Sequence, residues 1–344
     1  MLISLVTAEA HPNIAFVKYW GQRNPELYLP HNSSISMTIN SHLVTRTSVY
    51  TSNSLNSDEV YLNREKANGS QLERILRQVN YLRAKGEIPK DAKLRIASTN
   101  SFPTGAGIAS SASGFAALAF ALNETFQLNY SPKELSILAR IGSGSASRSV
   151  FGGFVLWNRG LNDNGEDSYA EQIKSESFWP ELRDLIVIVE SRQKKVSSAE
   201  GMQRTVQTAP NYLKKASEAE VRVRSVKDFL LEKNFEGLAD EIMTDSDRLH
   251  NLIAHSTPKF SYLTRTSEEI IDAIREFNVS KTKAAYTFDA GSNAHIITQE
   301  KYLEKLIPML KGIPGVLQMI EAKVGGAPRI ANQGALLTEN GVLV

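Results

Sequence analysis

A glycine- and serine-rich segment at residues 100–114, NSFPTGAGIASSASG, constrains this chain more than any other feature. Its proline and glycines shape a tight loop, and an apolar helical pattern follows over residues 115–126. Small residues let the backbone approach a ligand closely. Unpaired N–H groups at the beginning of a helix favour an anion, most often a phosphate. The simpler interpretation is a loop that only begins a helix. No Lys-Ser or Lys-Thr pair closes the segment, which excludes a Walker-type loop.

Length and composition indicate an ordinary globular protein. The 344 residues allow two domains or one large domain, and 42% are hydrophobic and 22% charged. The 39 basic and 37 acidic residues leave a net charge of +2, which predicts binding to neither nucleic acid nor a membrane. There is no cysteine and no apolar stretch of about 18 residues. We therefore expect a cytoplasmic protein whose N-terminal residues form a first strand rather than a signal peptide.

The spacing of apolar residues predicts mixed strands and helices in the first half and an α+β arrangement in the second. Predicted strands lie at residues 1–10, 43–50, 94–98, 154–157, 185–190, 284–287, 295–298 and 316–320. Predicted helices lie at 70–85, 132–141, 198–232, 236–254 and 258–277, the second of them beginning with a capping box at Ser131 and Glu134. The polar segment 160–180 predicts a boundary between domains 1–180 and 181–344.

Three further segments carry residues suited to chemistry. Lys18 lies among apolar residues in NIAFVKYWG (13–21), Arg148 lies in the small-residue segment GSGSASRS (142–149), and Asp289 lies in TFDAGSNA (287–294), between two predicted strands. Taken separately, each has a simpler interpretation: a lysine that snorkels to the surface, a flexible turn and an Asx-turn. A guanidinium on a small-residue loop is also suited to holding a carboxylate or a phosphate.

Taken together, these segments predict phosphoryl transfer to an acidic, hydroxylated substrate. A carboxylate can orient or deprotonate a hydroxyl, and the cations can offset charge on the phosphoryl group. With ATP a divalent ion is required, and Mg²⁺ needs few protein ligands. The histidines show no HExxH pattern, and His250 and His255 are spaced poorly for one metal, which indicates core or surface roles for both.

At five segments the chain resembles the GHMP kinase superfamily and, within it, the mevalonate diphosphate decarboxylase family. These segments occur in family order: residues 13–21 with LPHNSSIS (29–36), 102–114, 142–153, KKVSS with GM (194–202), and 288–293. The resemblance implies a two-domain GHMP kinase fold. Its N-terminal domain is ribosomal-protein-like α/β with a phosphate-binding loop at 103–114, and its C-terminal domain is ferredoxin-like α+β. It also implies ATP in the cleft between the domains and a homodimer.

The reaction that the resemblance implies is ATP-dependent phosphorylation of the tertiary C3 hydroxyl of a 5-phosphorylated mevalonate. Loss of that phosphate with CO₂ then leaves an alkene. Asp289 would be the catalytic carboxylate facing the hydroxyl, either as a base or as an electrostatic stabiliser. Lys18 would lie beside it and lower its pKa, and Arg148 would hold the substrate carboxylate.

The resemblance also assigns binding residues. The substrate would contact Asn13, Tyr19, Gln22, Ser143, Ser145, Arg148 and the segment at Ala199. The phosphates of ATP would contact Pro103, Gly105, Gly107, Ser110 and Ser111. Mg²⁺ would be held mainly by ATP phosphates and water, with Ser111 as its protein ligand.

Two departures from the family pattern concern the group at C5 of the substrate. The family usually has a lysine at the position of Gln22, and some bacterial members have an arginine at the position of Ala199, which here precedes the acidic Glu200. A diphosphate needs more positive charge than a monophosphate. We therefore expect mevalonate 5-phosphate as the substrate, giving isopentenyl phosphate.

Three alternatives stay open at this point. One is mevalonate 5-diphosphate as the substrate, giving isopentenyl diphosphate, if other cations compensate; the candidates are Arg192, Lys194, Lys195 and Arg204. The second is a mevalonate 3-kinase that does not decarboxylate, and the third is a non-catalytic GHMP-fold binding protein. The presence of Asp289, Lys18 and Arg148 argues against the last two.

Overall fold

The computed structural model describes residues 4–40, 42–102, 110–189 and 195–344. Its strands are β1 (Ser4–Ala10), β2 (Asn13–Val17), β3 (Gln22–Asn24), β4 (Leu29–Pro30), β5 (Ser34–Asn40), β6 (Thr45–Thr51), β7 (Glu59–Leu62), β8 (Glu65–Lys66), β9 (Leu94–Asn100), β10 (Phe154–Trp157), β11 (Ala170–Lys174), β12 (Leu182–Ile188), β13 (Ala284–Phe288), β14 (Ala294–Gln299), β15 (Gln318–Val324) and β16 (Arg329–Ile330). Its helices are α1 (Gly69–Lys85), α2 (Ser110–Thr125), α3 (Pro132–Gly142), α4 (Ser198–Thr208), α5 (Tyr212–Leu231), α6 (Phe235–Ala254), α7 (Arg265–Phe277) and α8 (Leu303–Lys311). Short 3₁₀ helices span Gly144–Val150 and Glu300–Tyr302.

The strands form two principal sheets. The first has the order β16-β1-β6-β9-β7-β8, and helices α1, α2 and α3 share one apolar core with it. The second has the order β11-β10-β5-β15-β12-β14-β13, with β2 paired to β5. Because β5 pairs with β15 and β1 pairs with β16, the C-terminal part of the chain adds strands to sheets that the N-terminal part begins. The division into domains 1–180 and 181–344 stays a prediction.

Strand β12 shows that helices cover both faces of the second sheet. Its residues alternate between the two faces, as in any strand. Ile186 packs in the core that includes α5 and α6, whereas Leu185 packs in the core that includes α7 and α8. All seven residues of β12 are buried. Helices thus cover both faces of this sheet, and the predicted mixed α+β class is confirmed.

Several predicted elements agree with the structure. Helix α1 spans Gly69–Lys85, and α3 begins with the predicted capping box, in which Ser131 accepts from the N–H of Glu134. Strands β10, β13 and β14 lie where the apolar pattern places them. The predicted strand at 316–320 lies two residues later, at Gln318–Val324.

Two predicted helices were wrong in their bounds, and the simpler interpretation of 142–149 as a flexible turn was wrong. The helical pattern at 198–232 is two helices, because Pro210 lies between α4 and α5 and cannot continue a helical hydrogen-bond ladder. The pattern at 258–277 becomes helical only at Arg265, where Thr264 caps the helix. The segment at 142–149 is not a flexible loop, since most of it forms a buried 3₁₀ helix.

Candidate active site

An ion pair between Lys18 and Asp289 lies at the centre of the candidate site. All five residues of β2 are buried, and Lys18 follows them directly. Its Nζ donates to Oδ1 of Asp289 at 2.6 Å. The Lys18 side chain is 3% exposed, whereas that of Asp289 is 30% exposed. The lysine therefore does not snorkel to the surface. Its ammonium favours the ionised form of a carboxylate that a ligand can still reach.

Arg148 is a second buried cation in this region. Its Nη1 donates to Ser34 Oγ at 2.7 Å and its Nε to Asn13 Oδ1 at 3.2 Å. Burial lowers the pKa of Arg148 to about 10, while the charge of Asp289 opposes that shift. Among the described residues, no carboxylate forms a salt bridge with Arg148. A buried guanidinium held only by neutral groups is suited to receiving an anionic ligand.

A row of hydroxyl groups connects this cation to the beginning of α2. Ser111 Oγ lies 3.4 Å from Ser143 Oγ, which in turn lies 3.4 Å from Ser145 Oγ. The amide of Asn13 donates to the carbonyl of Ser145 at 3.2 Å and to Ser149 Oγ at 2.7 Å. The structure thus brings together the sequence-predicted residues Asn13, Ser111, Ser143, Ser145 and Arg148.

Tyr19 and Gln22 lie together at another part of the site. The amide of Gln22 donates to the hydroxyl of Tyr19 at 2.6 Å, and the ring of Tyr19 packs edge-on against Trp157. Burial raises the pKa of Tyr19, so its hydroxyl stays protonated. This position therefore supplies hydrogen bonds and no formal charge.

The segment at Ala199 is less closely connected. Ala199 is exposed in the first turn of α4, and Ser197 caps that helix by accepting from the N–H of Glu200. Glu200 pairs with Arg204 at 2.6 Å, so one of the predicted compensating cations is already partly neutralised. Lys195 is exposed.

A cavity of about 590 Å³ lies beside the beginning of α2. Its lining includes Ser110, Ser111 and Gly114 from α2, and hydroxyl and amide residues of β6 and β9, namely Thr45, Thr47, Ser98 and Asn100. Its volume is within the range of cofactor pockets, and the start of α2 is favourable for phosphate. The cavity therefore fits a nucleoside triphosphate. The strand residues were missed by the sequence analysis, because polar residues are consecutive at 45–48 and 98–100 and do not indicate which side chains line a cavity.

Other predicted residues lie elsewhere. Pro103, Gly105 and Gly107 of the phosphate-binding loop are outside the described residues, as are Arg192 and Lys194. The described residues contain no group of three or more acidic or histidine side chains that could hold a metal ion. For Mg²⁺, which keeps several waters and binds substrate phosphates, Ser111 is the predicted protein ligand at the cavity wall. No described helix combines the length and apolar character of a membrane span.

Comparison with known proteins identifies the family of this chain. Residues 10–170 match a family profile described as the diphosphomevalonate decarboxylase-like N-terminal domain, and residues 184–333 match the mevalonate 5-diphosphate decarboxylase C-terminal domain. Diphosphomevalonate decarboxylase of Bos taurus is 40% identical over 325 residues, covering 90% of this chain and 80% of the relative.

Solved structures indicate the same family. Mevalonate diphosphate decarboxylase from Staphylococcus aureus has a TM-score of 0.88 and 35% identity, covering 96% of this chain and 98% of its own. A structure described as MDDEF in complex with MVAPP, AMPPCP and magnesium has a TM-score of 0.87 and 34% identity, covering 96% of this chain and 100% of its own. The chain belongs to the mevalonate diphosphate decarboxylase family of the GHMP kinase superfamily.

Proposed function

We propose that this chain uses ATP to decarboxylate mevalonate 5-diphosphate, giving isopentenyl diphosphate, CO₂, ADP and phosphate. The enzyme is an ATP-dependent carboxy-lyase, and its cofactors are ATP and Mg²⁺. The observation that carries the proposal is the Lys18–Asp289 ion pair beside a buried arginine that has no salt bridge to a described carboxylate. The diphosphate form of the substrate is supported by the names of the relatives, and this corrects the preference for the monophosphate drawn from the sequence.

Arg148 receives the carboxylate of the substrate. Its guanidinium is planar and delocalised, and it is held by the neutral side chains of Asn13 and Ser34. Such a fork fixes a carboxylate with two parallel hydrogen bonds. Because Arg148 is buried, the attraction is stronger than in water. The contact fixes the position of the group that leaves as CO₂.

Asp289 faces the tertiary C3 hydroxyl of the bound substrate. A carboxylate within hydrogen-bond distance can orient that hydroxyl and accept its proton or its developing charge. Lys18 keeps the carboxylate ionised and fixed in one rotamer by the 2.6 Å contact. ATP, when bound, supplies the phosphoryl group that makes the C3 oxygen a leaving group.

Ser110 and Ser111 hold the phosphates of ATP, and Ser111 contributes to Mg²⁺ binding. Both lie on the wall of the cavity at the beginning of α2, where backbone N–H groups favour negative charge. The row of hydroxyls from Ser111 through Ser143 to Ser145 runs from this cavity toward Asn13 and Arg148. ATP and the mevalonate substrate therefore bind at the two ends of one polar surface.

Mevalonate 5-phosphate is the second candidate substrate, and two observations favour it. The side chain of Gln22 supplies no charge beside Tyr19, and Arg204 is paired with Glu200. With few cations near C5, a substrate that carries one phosphate at C5 needs less positive charge from the protein than one that carries a diphosphate. If this substrate is preferred, the product is isopentenyl phosphate.

The test is ATP-dependent CO₂ release with the two substrates side by side, compared as kcat/KM. A higher value for mevalonate 5-diphosphate supports the main proposal, and a higher value for mevalonate 5-phosphate supports the second candidate. ADP release without CO₂ would instead identify a 3-kinase. The absence of both products would identify a non-catalytic binding protein.

A further inference from the structure

Three side chains of helix α6 contact the backbone of Lys18 and of Phe288, the residue before Asp289. Asp245 Oδ2 accepts from the backbone N–H of Lys18 at 2.8 Å. Ser246 Oγ accepts from the N–H of Phe288 at 3.2 Å, and His250 Nε2 lies 3.3 Å from the carbonyl oxygen of Phe288. Phe288 directly precedes Asp289. One face of one helix therefore contacts both chain segments that present catalytic groups.

The backbone of these segments needs partners that the sheet does not provide. Strand β13 is the last strand in the described sheet order, so its outer edge has no neighbouring strand among the described residues. Edge strands carry unpaired N–H and C=O groups, and buried ones must find other partners. Ser246 and His250 supply them at Phe288. Asp245 does the same for Lys18, which lies beyond the last paired residue of β2.

Asp245 is itself held firmly. It is fully buried, and its Oδ1 lies 3.4 Å from Arg222, which also pairs with Glu241 at 2.9 Å. Burial lowers the pKa of the neighbouring Lys215, and the charge of Asp245 opposes that shift. A buried carboxylate with partners on both oxygens keeps one rotamer. It therefore holds the backbone N–H of Lys18 in a fixed position.

His250 is fixed in one protonation state. Burial lowers its pKa to about 4, so the ring is neutral near pH 7. A neutral ring carries one proton, and the partner of Nε2 is a carbonyl oxygen, which can only accept. The assigned tautomer therefore has its proton on Nε2 and donates to Phe288.

We propose that Asp245, Ser246 and His250 are positioning residues that hold Lys18 and Asp289 in the geometry that the reaction requires. The inference rests on the proposed function, because the benefit of this geometry is catalytic. Small displacements of reacting groups are costly: about 1 Å can lower a rate about 100-fold. Helix α6 prevents such displacement at both members of the pair at once.

The first experiment compares Ser246→Ala with Ser246→Thr and with a control on the same helix, Asp247→Asn. Asp247 also joins α6 to β13, through the hydroxyl of Tyr286 at 2.9 Å, but it contacts neither Lys18 nor Phe288 in the described structure. We expect Ser246→Ala to lower kcat about tenfold with the KM values nearly unchanged. Ser246→Thr, which keeps the hydroxyl, and Asp247→Asn should keep most of kcat. A loss of kcat in Asp247→Asn equal to that in Ser246→Ala would overturn the proposal.

The second experiment is a double-mutant cycle with Asp289→Asn, which removes the carboxylate that Ser246 positions through Phe288. If Ser246 acts by placing this carboxylate, Ser246→Ala should lower kcat about tenfold in the native enzyme and less than about twofold in the Asp289→Asn background. A merely structural role would lower kcat by the same factor in both backgrounds, and that result would contradict the proposal.

The two proposals fail in different ways. If the native enzyme releases no CO₂ with ATP, the proposed function is wrong. The positioning role is then decided by the crystal structure of Ser246→Ala. Separation of Lys18 Nζ from Asp289 Oδ1 beyond about 4 Å, where a salt bridge ends, would support it. An unchanged distance of 2.6 Å would overturn it.

Discussion

At the scale of single residues, exposure distinguishes the roles of the three charged side chains. Lys18 and Arg148 are each 3% exposed, whereas the side chain of Asp289 is 30% exposed. Buried cations act in a medium of low dielectric constant and need little reorganisation during a reaction. The exposed part of Asp289 gives the substrate access to the carboxylate. The two cations therefore provide a fixed field around one accessible acid.

Arg148→Lys should lower kcat/KM for the mevalonate substrate about 100-fold and leave KM for ATP nearly unchanged. A lysine keeps the charge but cannot contact Asn13, Ser34 and a carboxylate with one planar group. The matched control is Arg183→Lys, another buried arginine, which pairs with Glu300 at 2.7 Å outside the candidate site. Equal kinetic losses in both variants would show that the effect of Arg148→Lys is structural.

Gln22→Lys should raise kcat/KM for mevalonate 5-diphosphate relative to mevalonate 5-phosphate on the order of tenfold. The new ammonium adds charge beside Tyr19, where Gln22 now supplies only an amide. Gln203→Lys adds the same charge at an exposed position of α4 and serves as the control. An unchanged ratio of the two substrates in Gln22→Lys would show that Gln22 does not determine selectivity.

At the scale of elements, the segment between β2 and β3 carries Lys18 and Tyr19 and contains a glycine with an unusual backbone conformation. Gly21 adopts φ +103°, a conformation that other residues rarely adopt. A Cβ at this position would overlap the hydroxyl of Tyr212, which donates to the carbonyl of Trp20 at 3.0 Å. Helix α5 therefore fixes this segment through a contact that only glycine permits.

Gly21→Ala should lower the free energy of unfolding by more than about 2 kcal/mol and also lower kcat, since both backbone strain and steric overlap arise at this position. Gly69→Ala is the control for strain alone, because Gly69 has φ +53° and open space around its Cα. It should cost about 1 kcal/mol without a change in kcat. Chemical denaturation and steady-state kinetics measure both effects. Equal effects of the two substitutions would contradict the role given to Tyr212.

At the scale of the whole molecule, the site depends on contacts between residues far apart in the chain. Lys18 contacts Asp245 and Asp289, and Asn13 contacts Arg148. The N-terminal strand β2 thus meets both the 3₁₀ helix that carries Arg148 and the helix α6 that follows much later. Folding of the second sheet, to which β2 is joined through β5, completes the site.

Acid should destabilise the protein through His250. Its pKa is about 4 in the folded protein, against 6.5 as the ordinary value, so the unfolded chain binds more protons between these values. The contribution of His250 is therefore complete above pH 6.5 and decreases by about 3 kcal/mol as pH falls to 4. His250→Gln should weaken this dependence, and His255→Gln, at an exposed position, should not. The check is the free energy of unfolding measured across this pH range. The same pH dependence in the native protein and His250→Gln would contradict the assignment.

The sequence predicted most local elements and the central residues, but not the environment of those residues. The apolar neighbours of Lys18 did not exclude a side chain that snorkels to the surface. The spacing of apolar residues does not show where a long side chain ends. Pro210 indicated a break between α4 and α5, but the helical pattern continues on both sides of it, so one long helix was predicted. Ser246 and His250 had no local signal, since their partner is the backbone of β13, about 40 residues later. The predicted homodimer and cytoplasmic location stay predictions.

The most direct test of the central claim is the stoichiometry of CO₂ and ADP release by the native enzyme and by Asp289→Asn, with mevalonate 5-diphosphate and ATP. We predict one CO₂ for each ADP in the native enzyme. In the variant, turnover should fall about 1,000-fold, because the carboxylate is lost, while ATP binding stays nearly intact. Turnover by Asp289→Asn near the native rate, or ADP release by the native enzyme without CO₂, would contradict the account.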